Sequence, residues 1–185
     1  MDDQATIAPV LADNARCLRE AIALLHSLSP EEFVRTHPAF HHASIGAHIR
    51  HNIDHFDNFF AGLPGGRIDY DRRARDPETE RDPARACRAL EAIATRLGSF
   101  PLRDLDSPCT IRVNAHSADA SDPAHWSGST VRRELHFLLG HAIHHHALVA
   151  AICRSLGHQP SPTFGMAPSS LRHKFRQAAA TPCVR

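Results

Sequence analysis

Long apolar runs are missing from this chain: no stretch approaches the roughly 18 residues that a membrane-spanning helix needs, which argues against a membrane partner. The opening segment MDDQATIAPV is acidic and has neither the basic nor the apolar region of a signal peptide. Excess positive charge is missing too. With 21 basic and 20 acidic side chains the formal net charge is +1, which argues against a broad electrostatic grip on nucleic acid. A disulfide framework is also absent: the five cysteines (Cys17, Cys87, Cys109, Cys153, Cys183) are scattered and odd in number. That pattern reads as reduced, mostly buried thiols in a cytoplasmic protein. Lysine is nearly absent, Lys174 being the single one, and the arginine bias reads as genomic base composition. No internal repeat is evident. What remains is an ordinary globular composition, 42% hydrophobic and 22% charged, in a chain of 185 residues. That length suits one well-cored domain over residues 1–185, with an ordered core from about 5 to 176, and is short for two.

Histidine, by contrast, is abundant, at 16 residues. Isolated ones have ordinary roles as surface or hydrogen-bonded groups: His26 on the first helix, and His37, His116 and His125 in loops. Two clusters differ. His48, His51 and His55 recur in SIGAHIRHNIDHFDNFF, and His141, His144, His145 and His146 in ELHFLLGHAIHHHALVAAI. Residues three or four apart share a helix face, so both clusters form histidine-bearing faces.

Four long helices are predicted. The first covers about Thr6 to Leu28, with Leu11, Leu18, Ile22 and Leu25 as its apolar stripe. Ser29-Pro30 ends it and opens a short turn, PEEFV, with Glu32 at the capping-box position. The second opens at Ser44 and runs to Ala61, burying Ile45, Ile49, Ile53, Phe56 and Phe60. After a polar link rich in Gly, Pro and charge (62–82), the third starts at Asp82-Pro83 and ends near Leu97-Gly98. A second connection follows, in which CTIRVNA alternates like a strand and suggests a short hairpin. The fourth runs from Thr130 to Leu156, capped by Ser129 and closed by Gly157. The Pro-rich tail is expected to pack Phe164 and Met166 on the bundle, or otherwise to fold back with Arg172 near the site, and to end in a short helix after Ser169, with disorder beyond Gln177. The fold class is all-α: a four-helix bundle with long polar connections, in which metal sites fall between facing helices.

His141 and His145 lie about 40° apart on the wheel and roughly 6 Å apart along the axis, a spacing at which two imidazoles close on one ion. His144 lies on the same side, and His146 points about 100° from His145. The apolar neighbours Phe137, Leu138, Ala142 and Leu148 make unpaired imidazoles costly to bury there. On the second helix, His48 and His55 are roughly 10.5 Å apart along the axis and cannot easily share an ion whose bonds are about 2.0–2.1 Å long. His51 lies between them, within a turn of each. It is also further from the apolar stripe than either, so spacing leaves the third ligand open.

With SIGAHIRH opening the second helix and HAIHH in the fourth, the chain resembles the DinB-like superfamily of four-helix metalloproteins, which includes thiol-dependent transferases. The likeness extends loosely over the whole four-helix pattern. It implies a metal held by a histidine about seven residues into the second helix, here His51, and by an HxxxH pair in the fourth, here His141 and His145. The chain has histidine or alanine where an Arg-Gly often follows the second ligand, so the resemblance does not fix the substrate.

The implied cofactor is one divalent transition metal (zinc, nickel or iron), together with a low-molecular-weight thiol. The implied activity is transfer of that thiol to an electrophile. Two rivals stand beside it: a hydrolase using the same three-histidine site, and a non-enzymatic stress-related metal-binding protein. The remaining histidines, His48, His55 and His144, serve as alternative ligands or as groups that orient ligands and move protons. Asp54 and Glu134 are the carboxylates placed by sequence to accept a ligand N–H. RIDYDRRARDPETER is read first as a solvated loop, and otherwise as a flap whose Tyr70, Arg73 and Arg75 meet an anionic substrate. The partner is a small molecule, a homodimer is compatible with the sequence, and no catalytic residue is assigned.

Overall fold

The computed structural model describes residues 8–113 and 119–180, so Thr6, His116 and Cys183 lie outside the described residues. Its frame is four helices: α1 (Pro9–Leu25), α3 (Ile45–Gly62), α5 (Pro83–Gly98) and α6 (Val131–Ser155). Each packs on two others, α1 on α5 and α6, and α3 on α5 and α6. Two one-turn helices, α2 (Pro30–Val34) and α4 (Pro77–Arg81), and a tail helix, α7 (Pro168–Ala180), complete the helical set.

Local chemistry accounts for the helix starts. Ser29 and Glu32 form the reciprocal capping box that opens α2, with bonds of 3.2 and 2.7 Å. Ser44 accepts from the Ala47 N–H at 3.0 Å, and Asp82 accepts from the Ala84 N–H at 2.8 Å, with Pro83 at the first position of α5. The cap of α6 differs from the sequence expectation. Thr130 accepts from the Arg133 N–H, whereas Ser129 turns its hydroxyl to the Glu134 carboxylate. Behind the caps, Leu11, Leu18 and Leu25 from α1 and Ile45, Ile49, Ile53, Phe56 and Phe60 from α3 are all buried in one core. Phe59 is buried as well, so the apolar face of α3 is wider than its stripe suggested.

The two long connections are more ordered than the sequence implied. Their strands β1 (Arg67–Asp69), β2 (Pro108–Arg112) and β3 (Ser127–Thr130) form one sheet in the order β1-β2-β3. β2 runs parallel to β1 (Ile68 opposite Ile111) and antiparallel to β3 (Thr110 opposite Gly128). The hairpin expected within CTIRVNA is therefore replaced: β2 finds its partners in the other segments. Buried Arg112 reaches both carboxylate oxygens of Asp69 at 3.2 and 3.1 Å, and the Tyr70 N–H donates to the Arg112 carbonyl at 2.9 Å. These bonds fix the path of the chain that follows β1.

Two further expectations change. By length and composition alone, α6 is long and apolar enough to cross a membrane, contrary to the sequence reading; here it packs into the bundle against α1 and α3. α7 runs to Ala180, past Gln177. Between these helices, Phe164 is buried as expected, and Gly165 sits at φ +74° against α6. A Cβ there would come within 2.5 Å of the Ala147 backbone nitrogen.

Candidate metal centre

Where α3 crosses α6, three imidazoles converge. Ligand nitrogens of His51, His141 and His145 all lie within 4.8 Å of one another. The ring centroids are 4.9 Å apart for His51 and His141, and 4.5 Å for His145 to each of the others. Bonds of about 2.0–2.1 Å to a tetrahedral ion would bring such atoms to about 3.3 Å, a closure within reach of side-chain torsions. The donor set fits a divalent transition metal on two further grounds. His141 Nε2 is buried with no hydrogen-bond partner among the described residues, a costly arrangement unless a ligand recovers it. Burial, followed by the neighbouring histidines, also pushes the rings down, to about 2 for His51, about 4 for His141 and about 3 for His145. All three are therefore neutral at pH 7 and present lone pairs.

The other histidines of the two faces surround this trio. His48 Nδ1 lies 2.9 Å from His145 Nδ1, so one ring donates and the other accepts. If His145 gives its Nε2 to an ion, its Nδ1–H donates to His48 and fixes the ring. His55 stacks on His141 with centroids 4.0 Å apart, and its Nδ1–H donates to the His51 carbonyl at 3.0 Å, leaving its lone pair on Nε2. Burial, the leading cause, lowers both His48 and His55. His144 is exposed and only touches His145 edge-on, at 5.3 Å.

The two carboxylates named from sequence work elsewhere. Buried Asp54 is held by Arg50 Nη1 at 2.6 Å and accepts from the Arg75 backbone N–H at 3.3 Å. Arg50 in turn donates to Glu80 at 2.9 Å. Asp54 thus anchors the segment after β1 to α3 rather than receiving a histidine N–H. Glu134, fully buried, is taken by Ser129 and by Arg133, the latter at 2.8 Å.

That anchored segment is a solvated loop only in part: Arg72, Ala74 and Arg75 are exposed, whereas Ile68, Tyr70 and Thr79 are buried. Tyr70 is 1% exposed, stacked on His55 at 5.5 Å and packed against Phe137 at 5.2 Å, so it is a wall and not a mobile flap. Arg75 is exposed, at φ +52°. Arg73 reaches inward, and its Nη1 lies 2.8 Å from His51 Nδ1. Together His51, His55, Tyr70, Asp71, Arg73, Val113, Phe137 and His141 line a cavity of about 120 Å³. Sequence reading missed Val113 and Asp71 as lining residues, and missed the Arg73–His51 contact. No periodic signal marks them, because the sheet carries them there. Phe137, one turn before His141, was visible only as an apolar neighbour.

Comparison with known proteins follows the same lines. A 111-residue stretch is 34% identical to FK506-binding protein 5 of Rhizopus delemar, covering 60% of this chain and 28% of that protein. The chain thus spans about a quarter of the length of that curated relative. The DinB superfamily profile matches residues 13–149, from within α1 to near the end of α6, and so takes in the whole histidine cluster. With 137 of 185 residues covered, the chain belongs to the DinB superfamily.

Proposed function

We propose that this protein is a metal-dependent enzyme of the cell interior that transfers a low-molecular-weight thiol to an electrophile, with His51, His141 and His145 as the ligands. The observation that carries the reading is the convergence of three neutral imidazoles beside a cavity that also holds an arginine and a proton-accepting histidine. Three neutral ligands leave a divalent ion its full charge and open positions, so a thiol or water bound there becomes more acidic and an electrophile is polarised. His55 takes the released proton at Nε2, the nitrogen its bond to the His51 carbonyl leaves unprotonated. Tyr70 and Phe137 keep bulk water from the reacting group. His48 holds His145 in orientation through the Nδ1–Nδ1 contact.

The name of the Rhizopus delemar relative speaks of FK506 binding, but most of that protein lies outside the stretch that matches this chain. Two measurements test the reading. Elemental analysis of untagged protein is expected to give about one divalent transition metal per chain. The cobalt-substituted protein is expected to gain a thiolate-to-metal absorption band when 2-mercaptoethanol is added, read against the same sample before addition. No band, with water still exchanging at the ion, would replace transfer by hydrolysis. Closure of the ion to both would leave metal storage.

A further inference from the structure

The Arg73–His51 contact cannot coexist with metal ligation by His51. A guanidinium has donors only, so at 2.8 Å Arg73 Nη1 donates and His51 Nδ1 accepts. A neutral imidazole that accepts at Nδ1 carries its proton on Nε2. If an ion takes Nδ1, the lone pair that Arg73 uses is gone. If it takes Nε2, the proton moves to Nδ1 and the two groups meet donor to donor. On either route the guanidinium is displaced.

It does not have far to go. Asp54 holds the Arg75 N–H, and the Arg73 N–H donates to the Asp71 carbonyl at 3.0 Å, so the backbone around Arg73 is pinned. Arg73 Nε is buried and lacks a hydrogen-bond partner among the described residues. Once free of His51, the planar fork stays at the cavity, and its geometry matches a carboxylate. Size and charge narrow the occupant. A cavity of about 150 Å³ holds benzene, so the 120 Å³ here takes one small end of a molecule. Asp71 in the same wall disfavours a dianion.

We propose that Arg73 is a specificity-determining residue: metal loading frees it from His51 to bind the carboxylate of a small acid whose sulfur lies at the ion. The substrate class is a short thiol-bearing carboxylic acid. This rests on the thiol-transfer reading for the sulfur, but its release step does not.

Three measurements on the full chain test it. In the metal-free protein, long-range ¹⁵N NMR is expected to show His51 protonated at Nε2; an Nδ1–H tautomer would overturn the proposal. In an acetate titration, the Arg73 Nε–H resonance is expected to shift in the zinc-loaded protein and to stay unmoved in the metal-free one. No shift with zinc, or equal shifts in both, would also overturn it. With cobalt-loaded protein, mercaptoacetate is expected to give the thiolate band at about tenfold lower concentration than 2-mercaptoethanol, the size of one charge-assisted hydrogen bond. Arg73→Met, checked for fold by circular dichroism, is expected to shrink that preference to within about twofold. A preference that survives Arg73→Met would mean that the carboxylate simply chelates the metal, and the proposal would fail. Absence of any band with either thiol sinks the transfer reading alone, and the acetate titration still decides the role of Arg73.

Discussion

Three consecutive histidines on α6 meet three different environments. His144 is exposed, His145 joins the cluster toward α3, and His146 is 1% exposed on the opposite side, toward α1. There His146 stacks on Phe164 with centroids 4.8 Å apart, and its Nδ1 lies 3.4 Å from the Cys17 sulfur. Burial alone pushes its ring down to about 4, burial first among several causes lowers His141 likewise, and burial with the nearby Glu20 carboxylate raises the Cys17 thiol to about 12. Burial and a depressed pKa therefore do not separate the two sides. Convergence does: toward α3 ligand nitrogens of three rings lie within 4.8 Å of one another beside a cavity, whereas toward α1 one ring is sealed by a phenyl group and an un-ionised thiol.

The largest effect expected from this contrast is on metal binding. His141→Ala, His145→Ala or His51→Ala should each weaken affinity by more than about a hundredfold, since groups that merely orient ligands already account for about 10–100-fold. The helical circular dichroism signal should survive. Loss with His48→Ala or His55→Ala while His51→Ala keeps the metal would move the third ligand to that residue.

His146→Ala should do the reverse, leaving about one metal per chain and lowering unfolding free energy by about 2–3 kcal/mol through lost packing against Phe164 and Cys17. Chemical denaturation of the metal-free protein reads this directly. Metal loss at unchanged stability would erase the distinction between the two sides.

The pH dependence sharpens it further. His51, His141, His145 and His146 all have pKa values below the ordinary 6.5 in the folded chain, because burial disfavours the charged ring. The unfolded chain then binds more protons than the folded one below about pH 6.5. Stability of the metal-free protein should be level above that pH and fall as pH drops toward 4. His146 accounts for roughly 3 kcal/mol of the loss at most. His146→Gln should flatten part of this slope in urea midpoints measured between pH 7 and pH 5; an unchanged slope would place the protons elsewhere. Metal release should follow the same direction, because protons compete for the ligand nitrogens. The smallest effect belongs to His144→Ala, which should change metal affinity by less than about twofold and stability by less than about 0.5 kcal/mol.

Sequence periodicity and caps made the bundle legible. Ser29 with Glu32, Ser44, and Asp82-Pro83 each mark a helix start that the structure uses, because capping is settled within a few residues. The sheet was illegible: β1 has three residues with Ile68 as its buried apolar member, too short for alternation to register. At the site, His141 and His145 could be paired from spacing because one helix carries both. Which turn of α3 faces them is a matter of register between helices, and no single-helix pattern encodes it, so His51 was preferred by resemblance. Arg73 was harder still. Its position depends on Asp54 holding Arg75 and on Arg112 holding Asp69, two pairings 21 and 43 residues apart.

Gly165 has a bearing on how this protein can change over time. Its left-handed backbone and its contact with Ala147 leave no room for a side chain at a point directly behind the ligand-bearing stretch of α6. Point substitutions there would push on the helix that presents His145, so small steps through sequence space are closed at this position. Replacement of the whole 158–166 loop, by insertion or deletion, remains open. Relatives should therefore differ here by loop length and not by a residue at the glycine, and those that have lost the glycine should have lost the loop with it.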